Sequence, residues 1–199
     1  MSAIRITRGF NENERDLIAA LYWEAFGAKL SFGLGPDIKA RAFLARVAEP
    51  AFSLCARSED GALLGVAGFK TSEGSLVGGD LSDLRAIYGI FGSLWRATLL
   101  SLLERDLEAS SLLMDGIFVT EAARGMGVGT ALLRAIIQEA HAQGCADVRL
   151  DVIDTNPRAR ALYEREGFAP GKIQTLGPLK CVFGFSSATE MRFTLQSHP

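Results

Sequence analysis

The chain has 199 residues, 48% of them hydrophobic and 22% charged, which suits one globular domain spanning residues 1–199 and excludes a disordered or collagen-like chain. Its 21 basic and 23 acidic residues are mixed along the sequence and leave a formal net charge of -2, so there is no basic field to hold a nucleic-acid backbone. Cys55, Cys145 and Cys181 are far apart and form no Cys-x-x-Cys pair, which argues against a disulfide framework or a zinc site.

The opening residues lack the blocks of a signal peptide, so a cytoplasmic location is expected. Ile4 and Ile6 alternate with polar neighbours as in a half-buried strand, and Asn11 with Glu14 forms a capping-box start for a helix. That helix carries Leu17, Ile18, Leu21, Tyr22, Ala25 and Phe26 and is expected to stop near Gly27, before a loop that reaches Pro36. A second helix is expected from Asp37 to Ala48. Phe52 to Arg57 and Ala62 to Phe69 then read as a hairpin turning at Ser58 to Gly61.

Residues 80–105 hold Leu81, Leu84, Tyr88, Phe91, Trp95, Leu99 and Leu102 at helical spacing, opposite Ser82, Arg85, Gly89, Gly92 and Arg96, and predict one long amphipathic helix. The apolar run from Ile87 to Leu103 is short for a membrane span and contains Arg96, so no membrane partner is expected. From Leu112 the order becomes strand (Leu113 to Val119), glycine turn (Arg124 to Gly129), helix (Thr130 to Gln143), strand (Val148 to Ile153) and helix (Asn156 to Glu166). Strands are expected again at Lys172 to Leu176 and Thr189 to Leu195. The fold class is α/β, a mixed sheet flanked by helices, with parallel pairing across the helix that follows the glycine turn.

Arg124-Gly125-Met126-Gly127-Val128-Gly129 follows a strand and opens a helix, a place where unpaired amides converge at a positive helix end and can bind phosphate. The spacing fits neither a dinucleotide fingerprint nor a Walker loop, and a tight connection without ligand is the plain alternative. Downstream, Asn156-Pro157 opens a helix that carries Leu162-Tyr163 and ends at Gly167-Phe168.

Together, Arg124-x-x-Gly127-x-Gly129, Asn156 and Leu162-Tyr163-x-x-x-Gly167-Phe168 resemble the GNAT superfamily of N-acetyltransferases, most specifically over residues 112–168. The resemblance implies the GNAT-like fold, a mostly antiparallel sheet with a splayed parallel central pair. It also implies acetyl-CoA as co-substrate, without a metal. By the same resemblance, the amides of Gly125, Met126, Gly127, Val128, Gly129 and Thr130, with Arg124, hold the coenzyme pyrophosphate. Ile117, Phe118 and Val119 pair edge-on with pantetheine, with Phe118 or Val119 offering an N–H to the thioester oxygen, and Asn156 hydrogen-bonds the coenzyme. Tyr163 is implied as the acid for the departing thiolate.

The attacking amine needs a base: Asp115 is a candidate as an acid within the apolar run Leu112 to Ile117, and Asp151, on the strand before Asn156, is a candidate because the resemblance implies an acidic base at that position; Glu24, on the first helix, is a third. His141, His198 and Cys55 stand in no convincing catalytic constellation. The expected acceptor is a small-molecule or peptide amine, with a pocket formed by the Gly27 to Pro36 loop and the long helix. That helix could instead be core or the face of a homodimer. A coenzyme-binding sensor without turnover is the alternative reading of the same motifs.

Overall fold

Strand β1 (Arg5–Arg8) leads into a capping box, in which the Asn11 N–H donates to Glu14 Oε2 at 2.8 Å, and then into helix α1 (Arg15–Leu34). The structure is a computed structural model and describes residues 3–101, 107–108 and 110–195. Leu102, Leu103 and His198, considered above, lie outside these residues, as does the Cys181 side chain.

Helix α1 does not stop at Gly27. The glycine gives room to the neighbouring turn, since a Cβ there would lie 3.0 Å from the Trp23 indole, and Leu30 and Leu34 beyond it are held by tertiary packing. Their partners are Phe43 and Leu44 of α2 (Asp37–Val47) and Leu84 of the third helix. Burial of this apolar surface outweighs the roughly 1 kcal/mol that glycine costs a helix interior.

Strands β2 (Ser53–Arg57) and β3 (Leu63–Thr71) form the expected hairpin, closed by Ser58 N–H to Ala62 O and Gly61 N–H to Ser58 O, both 3.0 Å. The short β4 (Gly74–Ser75) pairs with β3. Helix α3 (Leu81–Ser101) is broken at Gly89, where φ is 73° and ψ 179°. The single amphipathic stripe is therefore corrected. Leu84, Ile87 and Tyr88 face the interior, but the break rotates the second half, so Ser93, Ala97 and Leu100 turn inward. Phe91 is left 87% exposed and Trp95 43% exposed. Arg96 turns inward with them, its Nη2 donating to Gly35 O at 3.1 Å and its guanidinium lying 4.1 Å from the Tyr88 ring centroid.

The remaining elements are β5 (Ser111–Val119), α4 (Val128–Ala142), β6 (Asp147–Ile153), α5 (Pro157–Arg165), β7 (Ala169–Thr175), α6 (Lys180–Phe183) and β8 (Ser187–Thr194). The sheet order is β1-β2-β3-β5-β6-β8-β7, with β4 on β3. All neighbours are antiparallel except β5 and β6, the parallel pair that α4 bridges. One face buries Leu112, Met114, Leu150 and Met191 against Leu132, Leu133 and Ile136 of α4 and Tyr163 of α5. The other packs Cys55, Val66 and Phe118 under Ile18 and Leu21 of α1. Among the described residues no helix is long and apolar enough to cross a membrane.

Candidate active site

Strands β5 and β6 pair only at Ser111 with Asp147, Leu112 with Val148 and Leu113 with Arg149, although both strands continue beyond. The cause lies on the other side of β5. Phe69 of β3 faces Met114 while Gly68 faces Gly116, so Asp115 is an extra residue, a β-bulge that bends and twists its strand. Glycine suits both flanking positions. A Cβ at Gly116 would stand 2.3 Å from Phe26 Cζ, and one at Gly68 would stand 2.5 Å from Leu76 Cδ2.

The parting holds a cavity of about 110 Å³, bounded by Met114, Asp115 and Ile117 on one strand, Leu150 and Asp151 on the other, and Tyr163. A larger cavity of about 460 Å³ lies between the sheet and helices α1, α2 and α3, with Leu34, Phe43, Leu84 and Leu100 among its walls. Asp115, Asp151, Ile153 and Lys29 line both, so the cavities meet at these residues. A compound in the large chamber can therefore approach one threaded between the strands next to two carboxylates.

The open edge of β5 can be assigned atom by atom. The Thr120 N–H donates to Leu64 O at 2.9 Å, so by strand alternation Phe118 and Gly116 also direct their N–H and C=O groups at β3. Ile117 and Val119 then point theirs into the parting. Of the two N–H donors anticipated for a thioester oxygen, Val119 faces the gap and Phe118 faces β3, while the Phe118 ring packs edge-on against Tyr22 of α1 at 5.7 Å between centroids.

The glycine turn lies at the start of α4. Gly125 and Gly127 have φ of 81° and 83°, a left-handed conformation that a side chain would strain, and no atom lies within 4 Å of a Cβ built at either. The turn is thus open above its backbone. Helix α4 begins at Val128, two residues earlier than expected, with Gly127 as N-cap. Its first amides, on Val128, Gly129 and Thr130, have no preceding turn to donate to, and the first bond back is from Ala131 N–H to Gly127 O at 3.0 Å. Met126 is exposed at the tip. Arg124 pairs with Glu24, both exposed, so this third acid belongs to the rim of the turn and lines neither cavity. Open space, converging amides and the positive end of a helix suit a diphosphate.

Asn156 caps α5 through Oδ1, which accepts the Ala159 N–H at 3.2 Å, and its side-chain NH2 group remains a donor at the edge of the smaller cavity. Tyr163, in the last turn of α5, is buried beside Phe168 with ring centroids 6.0 Å apart, and it borders the same cavity. Cys55 is a core residue whose thiol is pushed up to about 11, chiefly by burial. His141 is exposed in the last turn of α4.

Two lining residues were not singled out from the sequence. Lys29 holds its Nζ 4.9 Å from the Phe26 ring centroid, and Lys70 faces Leu113 across the β3–β5 ladder, diagonal to the bulge. The available signals were modest: a lysine closing the apolar run of β3, and one on the apolar side of α1.

The family model described as the acetyltransferase (GNAT) family matches residues 16–168. An acetyltransferase of Agrobacterium fabrum (strain C58 / ATCC 33970) is 44% identical over 63 residues, 32% of this chain and 43% of that protein. The spermine/spermidine N(1)-acetyltransferase of Bacillus subtilis (strain 168) is 31% identical over 97 residues, 48% of this chain and 54% of that protein. The chain thus spans about half the length of these curated relatives. Among solved structures, a GCN5-related N-acetyltransferase from Kribbella flavida superposes with a TM-score of 0.63 at 20% identity, covering 97% of this chain and 98% of that one. An N-acetyltransferase from Staphylococcus aureus Mu50 gives 0.63 at 19% identity over 98% and 100%. These likenesses show the fold, and with the family match they explain why the parted strands and the open glycine turn occur together: the chain belongs to the GNAT family of acetyltransferases.

Proposed function

We propose that the protein moves the acetyl group of acetyl-CoA to a primary amine by direct attack in a ternary complex. The observation that carries this reading is the meeting of the two cavities at Asp115 and Asp151, with Tyr163 bordering the smaller one. Amides of Gly125 and of residues 127–130, with Arg124, receive the pyrophosphate, while the open edge of β5 and Asn156 receive the pantetheine amides; the Met126 N–H is already given to Ala123 O at 3.3 Å. The Val119 N–H faces the gap where negative charge develops on the thioester oxygen.

The acceptor enters the larger cavity as an ammonium and loses a proton to Asp115 or Asp151. Its nitrogen lone pair then forms the N–C bond as the C–S bond breaks. Tyr163 gives its proton to the leaving thiolate as the C–S bond breaks, and the second proton on the new amide nitrogen passes through solvent to restore the phenol. The nucleophile is the amine itself: Cys55, the buried thiol of the opposite core, lines neither cavity.

The test is amine-dependent release of free thiol from acetyl-CoA across a set of primary amines, repeated with Tyr163→Phe. Turnover that falls about 10²- to 10⁴-fold in the variant, with acetyl-CoA affinity retained, supports the assignment. Acetyl-CoA binding without turnover of any amine supports the sensor reading instead.

A further inference from the structure

We infer that the protein forms a two-fold homodimer through the outer face of the second half of α3, with Phe91 and Trp95 as its anchors.

The break at Gly89 makes this surface. Beyond it, residues 90–101 turn Ser93, Ala97 and Leu100 toward the body of the protein, where Ala97 and Leu100 also wall the larger cavity. The opposite face carries Ile90, Phe91, Leu94 and Trp95 at helical spacing, and Phe32 of α1 packs edge-on against Trp95 at 6.0 Å between ring centroids. All five are at least 43% exposed. Half of the large apolar side chains that reach solvent among the described residues gather here, whereas single exposed ones are ordinary on any soluble protein.

The face is also without charge. Arg96 is the only ionisable side chain of residues 90–101, and it is engaged inward, with Nη2 donating to Gly35 O and the guanidinium 4.3 Å from the Trp95 ring centroid. Held between Phe32 and Arg96, the indole is already ordered, so docking costs it little side-chain entropy. Beside Phe91, no atom lies within 4 Å of a Cβ built at Gly89, so a partner's ring can lie against bare backbone.

An apolar helix face without charges matches itself, because a two-fold axis brings the same patch from each copy together and no complementary charge is needed. The size agrees. At about 190 Å² for a whole side chain of this kind, the five residues leave roughly 550 Å² open to water. A symmetric pair covering them removes roughly 1,100 Å² before any rim residue is counted, above the roughly 1,000 Å² that a specific interface clears. Homodimer interfaces are also the more apolar class. A lipid surface is the weaker match, since membrane-surface helices set lysine and arginine beside their apolar face, and here the single arginine is turned in.

Sedimentation velocity of the full chain from about 1 to 100 µM should show a species of twice the 21.4 kDa chain mass filling with concentration. Phe91 occurs twice in a symmetric interface and is too exposed to matter to the fold, so Phe91→Glu is expected to weaken dimerisation at least about 100-fold. Leu94→Glu provides the same comparison if circular dichroism shows that Phe91→Glu does not fold. Ile173→Glu, which changes an exposed apolar residue on β7, should leave the dimer intact. A wild-type protein that stays monomeric throughout overturns the inference. A monomer that sediments with phosphatidylglycerol vesicles, and loses this in Phe91→Glu, overturns it and assigns the face to a membrane. A dimer retained by folded Phe91→Glu overturns it as well, because the contact then lies elsewhere.

Discussion

Asp115 and Asp151 border the same two cavities from opposite sides of the parted strands, and they arrive there differently. Asp151 lies in the regular run of β6, two positions after its last partner on β5, whereas Asp115 is the residue by which β5 exceeds β3. The bulge therefore accounts both for the parting and for a carboxylate at its mouth.

If one of these acids is the base, its asparagine variant should lower kcat by about 10²- to 10⁴-fold and remove the acidic limb of the kcat/KM profile, while the other variant keeps that limb. Steady-state rates of Asp115→Asn and Asp151→Asn across pH make the assignment. Acidic limbs retained in both would show that neither is the base.

A second charged pair concerns stability. Arg57 of β2 donates from Nη1 and Nη2 to the two oxygens of Glu14 at 2.6 and 2.7 Å, with side chains only 9% and 16% exposed, tying the capping box of α1 to the sheet. Arg57→Ala should cost about 3 kcal/mol because it strands a half-buried carboxylate. The Arg57 hydrogen bonds are the largest cause holding the Glu14 carboxyl below its ordinary 4.5, and the Asn11 N–H adds to them against the effect of burial. A depressed folded pKa means that this stabilisation is present above the unfolded value and disappears as pH falls through the folded one. Urea melts below pH 5 should therefore show a shallower acid loss for Glu14→Gln than for the wild type.

Much of the site can be read locally, and the exceptions have physical causes. The glycine turn, the Asn156 cap and Tyr163 announce themselves because turn chemistry, helix caps and helical spacing act within a few residues. Bulges depend on pairing between strands distant in sequence, so Asp115 could be noticed as an acid in an apolar strand but not as the residue that parts β5 from β6. Lys29 and Lys70 meet the aspartates only through the packing of α1 and β3 around β5. The turn from Phe91 and Trp95 inward to Ser93 and Ala97 inward follows from one backbone angle at Gly89, which the periodicity of the apolar residues conceals.

That glycine makes a separate prediction. Leu84 and Leu100 line the larger cavity from either side of the break, so Gly89→Ala, which strains a positive φ by about 1–3 kcal/mol, should lower stability and raise the acceptor KM. Acetyl-CoA affinity should stay within about twofold, because Gly89 contributes to neither the glycine turn nor the parted strands. Thermal melts and titrations on the same preparation check both parts.

The most direct test of the central claim is calorimetric titration with acetyl-CoA of the wild-type protein and of Gly129→Glu. Gly129 lies in the first turn of α4 without a left-handed φ, and a Cβ there meets only Leu162 Cδ2 at 3.4 Å, so glutamate is compatible with the helix while placing negative charge where the pyrophosphate is proposed to lie. Micromolar binding by the wild type, weakened at least about 100-fold in a folded variant, is the predicted result. Unchanged binding in Gly129→Glu, or no binding by the wild type, would contradict the proposed coenzyme site.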